Sequence, residues 1–124
     1  TYINYYLYDG GLLWWDSGYN FMHYAPSANS SRQLQNREED YDQFSIMGYD
    51  AGGVAWYIRN GENWTLKFYD NHDVNVLTTI QDPLEGTTWY FDRSIHYQNG
   101  NFTWNEYQPN TVPCKRYTRI CGIM

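Results

Sequence analysis

The stretch that decides the fold is residues 87–108, TTWYFDRSIHYQNGNFTWNEYQ. At its centre stands Asn99-Gly100, which strongly favours a two-residue hairpin turn because a type I′ turn needs positive φ at both central positions. Pairing Gln98 with Asn101 then fixes the register of both flanking strands. The sequence therefore predicts an antiparallel hairpin over these residues.

That register assigns the side chains of the hairpin to two faces of different polarity, because successive strand residues point in opposite directions. One face receives His96 with Thr103 and Ser94 with Asn105, which are polar. The aromatic face pairs Tyr97 with Phe102, Ile95 with Trp104 and Arg93 with Glu106, and Trp89 and Phe91 extend it. An amphipathic hairpin of this kind predicts a sheet with one face on the core.

A second hairpin is predicted around Asn60-Gly61 by the same turn chemistry. It places Tyr57 opposite Trp64 and Ala55 opposite Leu66, with Phe68 on the same face. Trp56 falls on the other, more polar face together with Asn63. We expect Trp56 either to lie under a further layer or to form part of a surface platform.

Turn signals recur every eight to twelve residues or so, which is typical of an antiparallel all-β domain. We predict one domain over residues 1–124, built as an antiparallel meander of about eight to ten strands that closes into a calycin-like barrel. A two-sheet β-sandwich is the alternative. The polar stretch 26–43 is predicted to be a long loop, with a helical turn as an option around residues 32–40.

The composition excludes several classes of protein. The 124 residues include fourteen Tyr, six Trp and five Phe, an aromatic content that disordered chains lack. Eight Lys and Arg against fourteen Asp and Glu give a net charge of −6, which argues against a nucleic-acid partner. No apolar run approaches the length of a membrane span, so none is predicted.

Three N-glycosylation sequons and a pair of cysteines predict a secreted, extracellular glycoprotein. The sequons begin at Asn29, Asn63 and Asn101. Cys114 and Cys121 are predicted to form a disulfide that closes a C-terminal loop over residues 114–121. Because the chain begins at Thr1 without a leader pattern, we expect a mature product.

Arg93 and Glu106 are the candidate polar anchors of a ligand site, since their predicted register places both within the aromatic face. An arginine in such a setting can hold a ligand carboxylate through two parallel hydrogen bonds. The favoured interpretation of the pair is a structural ion pair between the two strands, which would leave no role for a ligand. The predicted ligand-binding residues are Arg93, Glu106, Trp89, Phe91, Tyr97, Trp104, Tyr57 and Trp64.

The first strand is apolar on both faces, with Tyr2, Tyr6 and Tyr8 on one side and Tyr5 and Leu7 among those on the other. One of these rows needs a second layer, a ligand or a partner chain. Strand addition by residues 1–9 to a neighbour's sheet would supply such a partner.

No metal or cofactor site is predicted. The string Asp70-Asn71-His72-Asp73 lacks the spacing of a calcium-binding loop and is interpreted as a turn. No catalytic motif is found, and an enzyme is the least favoured class.

Three functions follow from these features. The first is a secreted, non-catalytic binding protein that holds a small hydrophobic or amphipathic ligand in an aromatic-lined barrel or cleft. The second is a lectin-like module that binds a glycan on exposed Tyr and Trp rings. The third is a structural glycoprotein subunit that self-assembles through its N-terminal segment.

Overall fold

The computed structural model of the protein describes residues 5–39, 41–50, 52–82, 84, 89–91, 93–98, 100–108 and 115–122. For Asp50 and residues 115–122 it describes the backbone alone. These residues form strands and turns without any helix. The strands are β1 (Tyr5–Tyr8), β2 (Gly11–Trp15), β3 (Phe21–Ala25), β4 (Ser30–Gln35), β5 (Gln43–Asp50), β6 (Gly53–Asn60), β7 (Asn63–Tyr69), β8 (Val74–Gln81), β9 (Tyr90–Phe91), β10 (His96–Gln98), β11 (Asn101–Gln108) and β12 (Lys115–Gly122).

The strands form three antiparallel sheets, each built from a continuous part of the chain. The N-terminal sheet has the order β1-β2-β3-β4, and the central sheet has the order β5-β6-β7-β8. The C-terminal sheet has the order β10-β11-β12, and β9 also pairs with β11. Short turns join neighbouring strands because antiparallel strands need only tight connections.

The predicted all-β antiparallel class is confirmed, but the preferred barrel is wrong for the described chain. None of the three sheets closes on itself. They stack face to face instead, which is consistent with the sandwich alternative and adds a third layer to it. Among the described residues, no helix has the length and apolar character needed to cross a membrane.

The central sheet is covered on both faces by the other two. Towards the N-terminal sheet it presents Val54, Trp56 and Ile58, which pack against residues such as Leu13 and Phe21. Trp56 is fully buried there, so it lies under a further layer and not on a surface platform. Alternate residues of the central strands, including Ala55, Leu66 and Phe68, face the C-terminal sheet. The alternation of apolar residues on both faces thus produces a three-layer core.

A polar network crosses the interface between the N-terminal and central sheets. The Trp56 Nε1–H donates to Gln35 Oε1 at 3.0 Å, and the Gln35 amide donates to Glu39. Lys67, which is almost fully buried, reaches Glu39 Oε2 at 2.9 Å. Burial raises the pKa of Glu39, but hydrogen bonds from Lys67 and Gln35 together outweigh it and hold that pKa below its ordinary value. The buried polar groups are therefore paired, as a stable core requires.

The register predicted from Asn99-Gly100 is confirmed close to the turn and wrong further away. Gln98 pairs with Asn101, Tyr97 with Phe102 and His96 with Thr103. Beyond that point Phe91, not Arg93, lies opposite Glu106. Arg93 has a φ of 62°, which is a left-handed conformation. It divides the first strand of the predicted hairpin into β9 and β10 and shifts the pairing by two residues.

At the second hairpin the predicted faces are correct, and the predicted register is shifted by two residues. Asn60 pairs with Asn63, so the two central turn residues are Gly61 and Glu62. Tyr57 therefore lies opposite Leu66, and Ala55 opposite Phe68. A shift of two residues leaves every side chain on its predicted face, because the strand period is two.

Two predicted loops contain strands. The polar stretch 26–43 includes β4, which completes the N-terminal sheet beside β3. Residues 115–122 form β12 along β11, in the segment for which a disulfide-closed loop was predicted with a last short strand as an option. Cys114, one end of the predicted disulfide, lies outside the described residues, as do Tyr2 and the rest of residues 1–4.

Candidate functional site

The predicted ligand-binding aromatic residues pack between the central and C-terminal sheets. Trp64, Phe91 and Trp104 are buried in one apolar cluster, and Tyr57 and Tyr97 pack against it. The rings of Trp64 and Phe91 meet edge-on with their centroids 5.1 Å apart. The structure therefore brings these five residues together as packing between two sheets. Trp89 is half-buried, and its carbonyl accepts a hydrogen bond from Leu84.

The predicted contact between Arg93 and Glu106 is wrong, because the chain bends at Arg93. Arg93 donates from Nε to Asp82 Oδ2 at 3.0 Å, and its side chain is 59% exposed. Glu106 is buried, and it accepts a hydrogen bond from Trp104 Nε1 at 3.3 Å. The two residues thus have different environments and separate partners.

The N-terminal sheet has a face that points away from the central sheet and is exposed in the described chain. Residues directly opposite each other on neighbouring strands share a face, so the register defines its members. Tyr5 opposes Trp14, Leu7 opposes Leu12, and Met22 opposes Trp14 and Gln33. We call this surface the outer face; it comprises Tyr5, Leu7, Leu12, Trp14, Met22, Tyr24, Ser31 and Gln33.

The outer face is apolar, exposed and free of charge. Leu7 is 75% exposed and Tyr5 is 60% exposed, whereas Leu13 and Phe21 on the opposite face are buried. None of its eight residues is ionisable at neutral pH, although 18% of the whole chain is charged. Contiguous exposed apolar surface of this kind marks interaction sites in soluble proteins.

An open pocket of about 300 Å³ lies on the outer face. Tyr5, Leu12, Trp14, Tyr24 and Ser31 line it, so three aromatic side chains and the Ser31 hydroxyl surround the space. Tyr and Trp combine a flat apolar ring with a polar group at one end. The pocket can therefore hold a ligand with one apolar face and hydrogen-bonding groups at its edge.

The turn between β3 and β4 borders this pocket. The Tyr24 hydroxyl donates to Asn29 Oδ1 at 3.0 Å, which orients both side chains. Asn29 has a φ of 47°, a left-handed conformation that asparagine tolerates better than most residues. All three sequon asparagines, Asn29, Asn63 and Asn101, are exposed. A sugar on Asn29 would lie next to the pocket, since Ser31 of the same sequon lines it.

Contacts with the turn that follows β7 anchor the N-terminal sheet to the central sheet. Tyr8 hydrogen-bonds to Asn71, and Arg32 donates to the carbonyl of His72. Arg32 also forms an ion pair with Asp73, with 3.8 Å between Nη2 and Oδ1. The Asp70 backbone N–H donates to the Asp73 carbonyl, which confirms the interpretation of residues 70–73 as a turn. These contacts hold the outer face pointing away from the core.

His23 is the buried titratable group beneath the outer face. Its ring lies 5.3 Å from that of Tyr8 and 5.4 Å from that of Tyr69, measured between centroids. Burial lowers the pKa of His23 below its ordinary value, and the nearby Arg32 guanidinium lowers it further, while Asp9 opposes the change. The imidazole is therefore neutral in the folded protein at neutral pH.

We expect the free energy of unfolding to fall as the pH drops below 6.5, the ordinary pKa of histidine. Between that value and the lowered pKa of His23, the unfolded chain binds a proton that the folded chain does not. Urea unfolding at about pH 8 and about pH 5.5 measures the loss. The loss should shrink in His23→Leu and persist in the control His96→Gln, which changes an exposed histidine. An equal loss in all three proteins would contradict the assignment to His23.

Neither a metal site nor a family likeness narrows the chemistry further. In the part of the chain that the structure describes, no three His, Cys, Asp or Glu side chains are grouped to hold a metal ion. The fold and the outer face define an all-β protein of three stacked sheets, the described part of which includes an exposed aromatic surface. Comparison with protein-family models, with curated proteins and with solved structures finds no match to this chain.

The predicted ligand-binding set omitted every residue of the outer face. The signal was present in β2, where Leu13 and Trp15 alternate with Leu12 and Trp14, so both faces of the strand are apolar. A strand of this kind in an antiparallel sheet needs cover on both sides. For the first strand, Tyr5 and Leu7 led to the prediction that both faces need cover. The same prediction was not made for the next two strands.

Proposed function

We propose that this protein is a non-catalytic, extracellular binding protein that holds a carbohydrate on its outer face. The observation that carries the proposal is the open pocket in which Tyr5, Trp14 and Tyr24 surround about 300 Å³ beside the Ser31 hydroxyl. Pyranose rings have apolar faces that stack on aromatic side chains, while their hydroxyls need hydrogen-bonding groups at the edge. Ser31 and Gln33 supply such groups on the same face.

The size of the outer face favours a ligand over a second protein. A four-stranded face about five residues long presents on the order of 300 Å². A stable protein–protein interface buries about 800 Å² on each partner. Self-association through the outer face is therefore the second candidate, supported by the 75% exposure of Leu7. In that case β1 contributes its face or its outer edge, because it is the edge strand of its sheet and pairs with β2 along one side.

The compartment is part of the proposal. The exposure of Asn29, Asn63 and Asn101 supports it, because an oligosaccharide transferase must reach each acceptor asparagine. Protein secreted from a eukaryotic host should carry N-linked sugar at one or more of these positions, as read by peptide mass mapping. A secreted product without sugar at any of them would contradict the glycoprotein proposal.

Replacing Trp14 with alanine should weaken carbohydrate binding at least about tenfold, because buried aromatic contacts dominate the binding energy of such sites. The ligand is first identified on a glycan array and then titrated by calorimetry. The control is Val76→Ala, which removes an exposed apolar side chain from β8, outside the outer face. The Asn29→Gln variant removes any sugar bordering the pocket.

The outcomes of this experiment separate the candidates. Binding lost in Trp14→Ala and kept in Val76→Ala supports the proposal. An array without binding, together with concentration-dependent dimerisation that Leu7→Ser abolishes, would replace it with self-association. Binding of apolar dyes without any glycan would replace the carbohydrate with a small hydrophobic or amphipathic ligand.

A further inference from the structure

Two guanidinium groups lie against one indole ring at the interface of the central and C-terminal sheets. The Arg59 Cζ is 5.0 Å from the centroid of Trp64, and the Arg93 Cζ is 5.6 Å from it. Arg59 is the cross-strand partner of Trp64, and Arg93 lies between β9 and β10. Both distances fall in the range of cation–π attraction. The two guanidinium carbons are therefore no more than about 11 Å apart.

Each of these guanidinium groups uses a single N–H in contacts with the protein. Arg93 donates from Nε to Asp82 at 3.0 Å, and Arg59 donates from Nε to the Gly61 carbonyl at 2.8 Å. A guanidinium carries five N–H donors in a planar fork. Within the described residues, the terminal nitrogens of both arginines are left without an acceptor. The two forks thus offer up to eight N–H groups around one aromatic ring.

Asp82 positions Arg93 from a buried location. It is 5% exposed, and its other carboxylate oxygen accepts the Phe91 backbone N–H at 3.1 Å. Both oxygens of Asp82 are therefore engaged, and its side chain has little freedom to turn towards Arg59. Asp42 is a second described acidic residue in this region, and its carboxylate accepts the Gly61 backbone N–H at 3.3 Å. Neither carboxylate is within ion-pair distance of Arg59.

Two arginines lie against one indole ring in a chain with eight basic and fourteen acidic residues. Asp82 balances the charge of Arg93, whereas no described carboxylate forms an ion pair with Arg59, so an anion bound here would supply a counter-charge to Arg59. Arginine forks match the oxygen spacing of carboxylate, sulfate and phosphate groups. Trp64 is 3% exposed and also packs edge-on against Phe91, and its ring supplies an apolar surface against which both guanidinium groups lie.

We propose that Arg59 and Arg93, on either side of their shared contact with Trp64, form a binding site for an oxoanion group, either a free ion or the acidic group of a larger ligand. The site lies at the interface of the central and C-terminal sheets, and the outer face belongs to the N-terminal sheet. It is therefore independent of the proposed carbohydrate site. A ligand that carried sulfate or carboxylate groups would bind here without contacting Trp14.

The test is a titration of the whole chain with sodium sulfate, sodium phosphate and sodium acetate, each against sodium chloride at equal ionic strength. Nuclear magnetic resonance follows the Nε–H signals of Arg59 and Arg93 and the indole N–H of Trp64. We expect saturable shifts of these signals with at least one of the three anions, and the pattern among them identifies the preferred oxoanion group. Shifts that rise linearly without saturation, as chloride produces, would overturn the site.

Substitutions separate binding from folding. Arg59→Gln should lower the affinity for the anion at least about tenfold. Arg93→Lys keeps a cation beside the buried Asp82 and removes the fork, so the fold is retained and binding should fall by a similar factor. The matched control is Arg37→Gln, because Arg37 also lies over an aromatic ring, 4.7 Å from the centroid of Tyr41. Affinity unchanged in Arg59→Gln and Arg93→Lys, or lost equally in the control, would overturn the proposal. Carbohydrate binding by the variants reports on the outer face separately.

Discussion

Replacing Trp56 with alanine is expected to lower the free energy of unfolding by about 4 kcal/mol. Trp56 is the largest fully buried side chain described, and the indole fills the space between the N-terminal and central sheets. Its removal leaves a cavity and also leaves Gln35 Oε1 without its donor at 3.0 Å. Because domains of this size are stable by only about 5–15 kcal/mol, the variant should unfold at much lower urea concentration.

The comparison with Trp14→Ala makes this prediction specific. The chemical change is the same, but Trp14 is half-buried on the outer face. Its replacement should therefore lower the free energy of unfolding by about 1 kcal/mol. Urea unfolding of both variants measures the difference, with an unchanged slope as the sign of two-state behaviour. Equal losses of stability in the two variants would show that the stack of sheets is not as described. The mild cost of Trp14→Ala is also what makes that variant usable in a binding assay.

Gly53→Ala is expected to lower the free energy of unfolding by about 3 kcal/mol, because there is no space for the new methyl group. A Cβ at this position would lie 2.2 Å from the carbonyl oxygen of Tyr69 and 2.3 Å from Cζ of Phe68. The φ of 152° also lies outside the range that other residues favour. Tyr69 and Phe68 are both buried in β7, so neither can move aside without disturbing the core.

The matched control for this variant is Gly61→Ala, which tests a left-handed conformation without a clash. Gly61 has a φ of 60°, and a Cβ there would have nothing within 4 Å. The expected cost is about 1 kcal/mol, which is the conformational penalty alone. Thermal and urea unfolding of the two variants separate the clash from that penalty. A Gly53→Ala protein as stable as Gly61→Ala would contradict the packing of β6 against β7.

The sequence predicted the sheets most accurately where local turn chemistry determines the structure. Asn99-Gly100 fixed the pairing of Tyr97 with Phe102, because a two-residue turn leaves no choice of register. The same reasoning failed at Arg93, where a left-handed residue interrupts the strand. Nothing in the local pattern of an arginine followed by a serine marks such a bend. Because of this bend, Glu106 pairs with Phe91, whereas the sequence had predicted a pairing with Arg93.

The candidate site shows a different limit of sequence reasoning. Alternation places Leu12 and Trp14 on one face of β2 and Leu13 and Trp15 on the other, but both faces are apolar. Which face is covered depends on how whole sheets stack, and this is decided by contacts distant in the sequence, such as that of Phe21 with Trp56. β4 was not predicted because residues 26–43 are polar. An edge strand of a sheet tolerates polar side chains at its exposed positions, so this polarity does not exclude a strand.

The order of the three meanders along the chain has a consequence for how the protein folds. Each sheet pairs only strands that are neighbours or near neighbours in sequence, so its hydrogen bonds form without closing long loops. Both faces of the central sheet become buried only when the two flanking sheets pack against it. Its amide hydrogens should therefore exchange with water last, through global unfolding, while each flanking sheet can open alone. The outer face belongs to one of these separately opening units, so a ligand bound there would stabilise that unit against opening.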